Sequence, residues 1–386
     1  MKLKSVVYSL SVAGAAGMLF GATALPAYAA SHRQSTRPLE SSRSNQPFKH
    51  VYVIMMENQG TPNIIGNSQL PYINKLAKQY GYENNYFGVT HESLANYVAF
   101  FSGNNWGTHS DNPTQTFNHT NLVDQLASHH ITWKGYMQSM PYPGFKGYWY
   151  PDNEPKGTAP SKTPPNALYA LKHNPFTLMT DIANHPSREK NVVPFTQLQT
   201  DLNHNRVPNF SFITPNVIND MHGQPPGPGS TVTYNDPAKL YQAGDNFVKR
   251  TVKEIMSSRS WKTSKSIIFV TWDEANYPYP PSSTTSKQLK QFTAPGPDAP
   301  IVPAGTVDGY KWPGGAYGGG KVPMIMIDNA FPHHFTLNTW ANHYSLLRTI
   351  EQNWHLGFIG YASDSRQVKT LPVPGEPQLR HRRSDN

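Results

Sequence analysis

The sequence predicts an α/β fold, with a mainly parallel central sheet, helices on both faces and long Pro/Gly-rich loops. Three observations lead there. Short, unbroken apolar runs alternate with segments whose apolar residues recur at helical spacing. Several of those runs end abruptly in polar residues, as strands do at the open edge of an α/β sheet. Two long stretches, 141–165 and 277–320, are dominated by Pro, Gly, Ser and Tyr and have neither periodicity.

The elements follow in order. Val51 to Met56 is a short apolar run suited to a buried strand, and it ends at Glu57-Asn58. Residues 72–80 read as a helix, with Ile73, Leu76 and Tyr80 on one face. The apolar stretch 96–101 follows Ser93. Residues 121–128 carry Leu122, Val123 and Leu126 at helical spacing, and 131–137 reads as a strand. A further strand at 209–214 stops at Pro215-Asn216. The helix at 245–256 shows Phe247, Val248, Val252 and Ile255 on one face. Ser266 to Trp272 is the clearest buried strand and ends at Asp273-Glu274. A strand at 322–327 and a helix at 342–353 complete the set. No internal repeat is present.

The ends of the chain read differently. Lys2 and Lys4 precede an almost uncharged stretch from Val6 to Ala24, and Ala27-Tyr28-Ala29 supplies small residues at a cleavage site. Residues 1–29 therefore read as a signal peptide of the bacterial Sec type, which predicts a secreted, extracellular protein. Ser9, Gly14, Gly17 and Gly21 interrupt the apolar stretch and weigh against a membrane anchor. No later segment approaches the roughly 20 apolar residues of a membrane span. Residues 30–48 are polar and read as a disordered linker, 49–362 as the catalytic domain and 363–386 as a tail. Cleavage after Ala29 leaves 386 − 29 = 357 residues.

Composition narrows the chemistry. The absence of cysteine excludes disulfides, a thiol nucleophile and thiolate metal sites. A formal charge of +9 favours anionic partners such as phosphorylated small molecules or phospholipid headgroups, without choosing among them. Nothing indicates specific nucleic-acid binding.

Glu57-Asn58 at a strand end offers oxygen ligands to a hard divalent cation, and serves equally as a turn. Ser93 stands before an apolar helix, where amide donors favour an attacking oxyanion; the same position suits a plain helix cap. Asp273 and Glu274 are adjacent carboxylates that are costly to bury without a cation. Asp220 and His222 add a mixed O/N pair, and His343 opens a helix.

Together these segments resemble the bacterial phosphoesterase family that contains secreted acid phosphatases and phospholipases C, within the alkaline-phosphatase-like superfamily. The carrying motifs, in order, are Val53-Ile54-Met55-Met56-Glu57-Asn58, Thr90-His91-Glu92-Ser93-Leu94-Ala95-Asn96-Tyr97, and Lys172-His173-Asn174-Pro175-Phe176. Then come Ile213-Thr214-Pro215-Asn216 with Asn219-Asp220-Met221-His222, Thr271-Trp272-Asp273-Glu274, Gly318-Gly319-Gly320-Lys321-Val322-Pro323 and Asn342-His343-Tyr344-Ser345-Leu346-Leu347-Arg348.

The resemblance implies that Ser93 is a nucleophile that is transiently phosphorylated and also faces a divalent metal ion, at one or two sites. It implies Glu57, Asn58, Asp273 and Glu274 as ligands, with Asp220 available to a second ion. Asn96 matches a donor to a phosphate oxygen, and His173, His222 and His343 match histidines lining the site. The chain departs from the family's usual Pro at Glu92 and Ala95, and from the Asp of some relatives at Glu274. The expected activity is hydrolysis of phosphate monoesters, as in acid phosphatases. The lack of evident C-terminal modules favours this over a phospholipase C. A reading of another class is a non-catalytic wall- or glycan-binding protein using the Tyr- and Trp-rich loop at 141–150.

Overall fold

The computed structural model describes residues 47–151, 163–276 and 318–373, with strand pieces at 301–302, 305–307, 310–312 and 315–316. The signal-peptide segment, the linker up to residue 46 and the tail beyond 373 lie outside the described residues, as do 152–162 and most of 277–317 from the two long loops.

Eight strands form the central sheet: β1 (His50–Met56), β2 (Gly81–Glu83), β3 (Trp133–Met137), β4 (Val192–Pro194), β5 (Phe210–Thr214), β6 (Ser266–Trp272), β7 (Met324–Asp328) and β8 (Phe335–Leu337). Their spatial order is β8-β2-β7-β6-β1-β5-β3-β4. β6, β1, β5, β3 and β4 pair in parallel. β7 runs antiparallel to both its neighbours, and β8 is parallel to β2, so only β7 opposes the rest. β1 and β6 are buried along their whole length, as the unbroken apolar runs require when both faces are covered.

The helices include α1 (Pro71–Gln79), α2 (Ser93–Ser102), α3 (Leu122–Ser128), α4 (Pro237–Ser257) and α5 (His343–Asn353). Alternation along β1 sends its residues to opposite sides. Val51, with Ile267 and Phe269 of β6, lies against Ile350 of α5. Met56, on the other face, lies beside Gly244 of α4, where an added Cβ would come within 2.4 Å of Met221 Cε and 3.2 Å of Met56 Cε. Helices therefore cover both faces.

Several boundaries differ from the sequence reading. α4 begins eight residues before position 245, with Pro237 in its first turn, where its fixed φ suits a helix. Its first turns bury little besides Leu240 and Gly244, so the apolar stripe starts late. β2, β4 and β8 have three residues each, too few for periodicity to reveal. The second long loop contains two short antiparallel pairs, Ile301–Val302 with Gly315–Ala316 and Gly305–Val307 with Tyr310–Trp312. Phe48, assigned to the linker, is buried, and its N–H donates to Asn353 Oδ1 at 2.7 Å. The first part of the tail packs down through Val368, Leu371 and Val373. Among the described residues no helix is long and apolar enough to cross a membrane.

Candidate active site

The site lies beyond the carboxyl ends of β5, β1 and β6, three adjacent strands. β1 and β6 stay in register to their last residues, Met56 opposite Trp272. Glu57-Asn58 and Asp273-Glu274 therefore emerge side by side. Asp273 N–H donates to Met56 O at 3.0 Å, and Asn58 N–H donates to Asp273 Oδ1 at 2.9 Å. Asn58 turns the chain with φ 50°, a left-handed conformation that Asn tolerates. The loop after β5 is tied in by Glu57 N–H, which donates to Asp220 O at 2.8 Å. Met221, between Asp220 and His222, has φ 84°, a strained value for a large side chain and a feature that clusters at functional sites.

Ser93 is the first residue of α2 and is buried. Its hydroxyl donates to Glu57 Oε2 at 2.8 Å and lies 3.4 Å from Glu274 Oε1. Tyr97, one turn later on the same face, donates its O–H to Glu57 Oε1 at 2.6 Å. His173 stacks on the Tyr97 ring, with Nε2 3.2 Å from Glu57 Oε1 and Nδ1 3.3 Å from Asp220 Oδ2. His222, at the partly exposed mouth, has Nδ1 2.9 Å from Gly223 O. That carbonyl can only accept, so Nδ1 carries the proton and Nε2 keeps its lone pair.

Glu57, Asp220, Asp273 and Glu274 are all fully buried. Burial raises each carboxyl. Glu57, Asp220 and Glu274 lie well above the ordinary range, with the Asp273 charge adding to the rise in each, and burial pushes Asp273 up to about 6. Burial also pushes His222 down to about 4 and His173 well below its usual value.

Several buried polar atoms of the site lack partners. Asn58 Oδ1, Asp220 Oδ2, Asp273 Oδ2 and His173 Nε2 are buried without a hydrogen-bond partner. Glu57, His173 and His222 also offer ligand atoms within 4.8 Å of one another. Clustered carboxylates, unpartnered oxygens and a neutral imidazole fit a divalent cation.

Two residues of the expected set are employed differently. Asn96 Oδ1 accepts from Val89 and Thr90 N–H, and its amide donates to Thr90 O at 2.7 Å and Glu92 O at 3.3 Å. Both amide protons are committed, so Asn96 clamps the loop before Ser93 and has no donor left for a phosphate oxygen. His343 Nε2 lies 2.5 Å from the backbone Asp273 O, and its Nδ1 lies 3.0 Å from Tyr86 Oη. The ring is a strut behind Asp273, fully buried and not open to the crevice. Asn342 caps the helix and fixes His343 at its start by accepting from Tyr344 and Ser345 N–H.

Other contacts were not foreseen. His91 Nδ1 lies 2.5 Å from Glu274 Oε2. Asp111 accepts from Leu94 N–H at 3.0 Å and from Lys172 Nζ at 2.5 Å. Tyr97 was legible in principle, four residues after Ser93 on one helix. The pairing of a polar loop Asp with a buried Lys leaves no signature. Behind the acidic pair two backbones touch. A Cβ on Gly88 would lie 2.7 Å from Asp273 O, and one on Gly319 would lie 2.6 Å from Thr90 O. Only glycine permits that approach.

With this geometry in hand, the sequence profile of the Phosphoesterase family matches residues 66–357. The chain belongs to the Phosphoesterase family. It is 26% identical over 292 residues to a phosphate-repressible acid phosphatase of Penicillium chrysogenum, covering 75% of this chain and 55% of that protein. It is 27% identical over 326 residues to a phosphatidylinositol-3-phosphatase of Mycobacterium tuberculosis, covering 84% and 83%. The chain spans about half the length of the first fungal relatives it matches, 55% and 56%. A solved protein of the alkaline phosphatase superfamily from Vibrio parahaemolyticus superposes with TM-score 0.45 and 13% identity, over 82% of this chain and 69% of that one.

Proposed function

We propose that this protein is a secreted, metal-dependent phosphoesterase that hydrolyses phosphate monoesters through a phosphoserine at Ser93. The observation that carries the reading is the position of Ser93 Oγ. It opens a helix, 2.8 Å from a buried Glu57 carboxylate and 3.4 Å from Glu274, beside oxygens that have no partner. Membership of the Phosphoesterase family and the names of the relatives support the same chemistry. The signal-peptide pattern at 1–29 supports secretion.

Phosphoryl transfer asks for an in-line nucleophile, neutralised equatorial oxygens and a stabilised leaving group. A hard divalent cation held by Glu57, Asn58, Asp273 and Glu274, with Asp220, His173 and His222 beside it, would neutralise the cluster and polarise a phosphate oxygen. Ser93 Oγ forms the new O–P bond as the ester P–O bond breaks, and its proton passes to Glu57 Oε2, where its hydrogen bond already points. The amide dipoles at the start of α2 face the charge that develops on that oxygen. The departing oxygen takes its proton from water at the mouth, beside the partly exposed His222. Water then attacks the phosphoserine, returns the serine hydroxyl and frees inorganic phosphate. Asn96 and His343 hold the nucleophile loop and the acidic turn.

A second reading concerns the substrate. The Mycobacterium tuberculosis phosphatase is matched over 83% of its length, which favours a lipid-borne monoester. The test is phosphate release from p-nitrophenyl phosphate, from phosphatidylinositol-3-phosphate in vesicles and from phosphatidylcholine, before and after exhaustive chelation. Monoester turnover should vanish on chelation and return with a divalent ion. Full activity at nil metal content overturns the metal requirement, and hydrolysis of phosphatidylcholine alone overturns the monoester reading.

A further inference from the structure

Lys172 takes no part in the chemistry described so far, yet it sits in the site. It is 5% exposed, adjacent in sequence to His173. Its ammonium donates to Asp111 Oδ2 at 2.5 Å and to His222 Nε2 at 3.2 Å, the lone-pair nitrogen. An ammonium has three N–H donors, so among the described residues one is left over. Asp111 is the link to the nucleophile: its other oxygen accepts from Leu94 N–H, the residue after Ser93. The ammonium is therefore tied on one side to the helix that carries Ser93 and on the other to the histidine at the mouth.

A buried lysine is expensive unless its charge is used. One carboxylate would satisfy it, but Asp111 also serves the helix, and the remaining donor is unspent within a crevice otherwise lined by carboxylates. A phosphate ester brings oxygens that need a fixed cation, and a charge-assisted N–H···O bond to such an oxygen is among the stronger contacts a site can make.

We propose that Lys172 anchors a phosphate oxygen of the substrate and that Asp111 is the positioning residue that holds its ammonium beside Ser93. The inference rests on the phosphomonoesterase reading and adds to it a group for substrate recognition. It differs from a structural ion pair in one consequence. A structural pair can be removed whole at little cost to ligand binding, and an anchor cannot.

The experiment uses the full mature chain and inorganic phosphate as the probe. Calorimetric Kd and competitive Ki for phosphate are measured for the wild type, Lys172→Met, Asp111→Asn and the double variant, with metal content and thermal melts on each preparation. Asp111→Asn keeps an acceptor for Leu94 N–H. Lys172→Met should weaken phosphate binding and raise KM at least about tenfold, with kcat less affected. Asp111→Asn should weaken phosphate several-fold. The double variant, which removes both members of the Lys172–Asp111 pair, keeps the test open if Lys172→Met does not fold. It should recover its melt but not its phosphate affinity. Wild-type phosphate affinity in the double variant, at unchanged metal content, overturns the proposal. A wild type that neither hydrolyses monoesters nor binds phosphate instead refutes the functional reading beneath it.

Discussion

At the amino ends of the central strands, several polar groups meet partners of modest charge. His50 Nδ1 meets Pro208 O at 2.8 Å, Lys49 N–H donates to Lys265 O at 2.8 Å, and the Lys265 ammonium lies 4.5 Å over the Phe48 ring. At the carboxyl ends of β1 and β6, four carboxylates are buried within one crevice, and some of their oxygens have no partner. β1 and β6 are buried along their whole length, so burial alone does not explain the contrast. At the amino end Ser211 Oγ and Asp328 Oδ2 are also buried without a partner, but on separate strands. The carboxyl end is arranged for something the fold does not contain, and it stores the cost as raised carboxyl pKa values.

The comparison can be broken from the carboxyl end first. Ser93→Ala should lower kcat/KM at least about a thousandfold, roughly 4 kcal/mol of transition-state stabilisation, with little change in the melt. A mutant retaining a tenth of the activity would mean that Ser93 only starts the helix. Next in size, Asn96→Ala removes the clamp on 89–92 and leaves buried backbone groups unpaired. Activity should fall about ten- to a hundredfold together with a stability loss of about 1–3 kcal/mol. Loss of activity at an unchanged melting temperature would instead restore Asn96 to a direct role on the phosphate.

The smallest effect belongs to the amino end. Burial lowers the His50 pKa below its ordinary value, so the unfolded chain binds the proton more readily. Stability from this group is present above about pH 6.5 and is lost as pH falls below it. His50→Phe should therefore cost about 1 kcal/mol at pH 8, less at pH 5, and leave kcat/KM within about twofold. A large activity loss there would end the distinction between the two ends.

What could be read in advance divides along physical lines. β6 was legible at both ends and β1 to within one residue, because burial on both faces demands an unbroken apolar run. The strand-end position of Glu57 and Asp273 follows from the same runs, so their approach was legible once the strands were neighbours. Asn96 and His343 were legible as residues of the site but not in what they do. Partner choice for an amide or an imidazole depends on backbone atoms that only the folded loop brings near. Lys172 stood within a quoted motif, but its pairing with Asp111 was opaque, since a salt bridge across 61 positions leaves no pattern along the chain. The three-residue strands fell below any period.

The close approach of Gly88 to Asp273 O and of Gly319 to Thr90 O limits how variation is tolerated. The nucleophile loop and the acidic turn are spaced by backbone against backbone, without an intervening side chain that might be trimmed or enlarged. The two segments must therefore shift together or not at all. In a saturation library selected for turnover, positions 88 and 319 should be as intolerant as 93, although neither glycine has any atom to offer the reaction. Selection would be acting there on empty space.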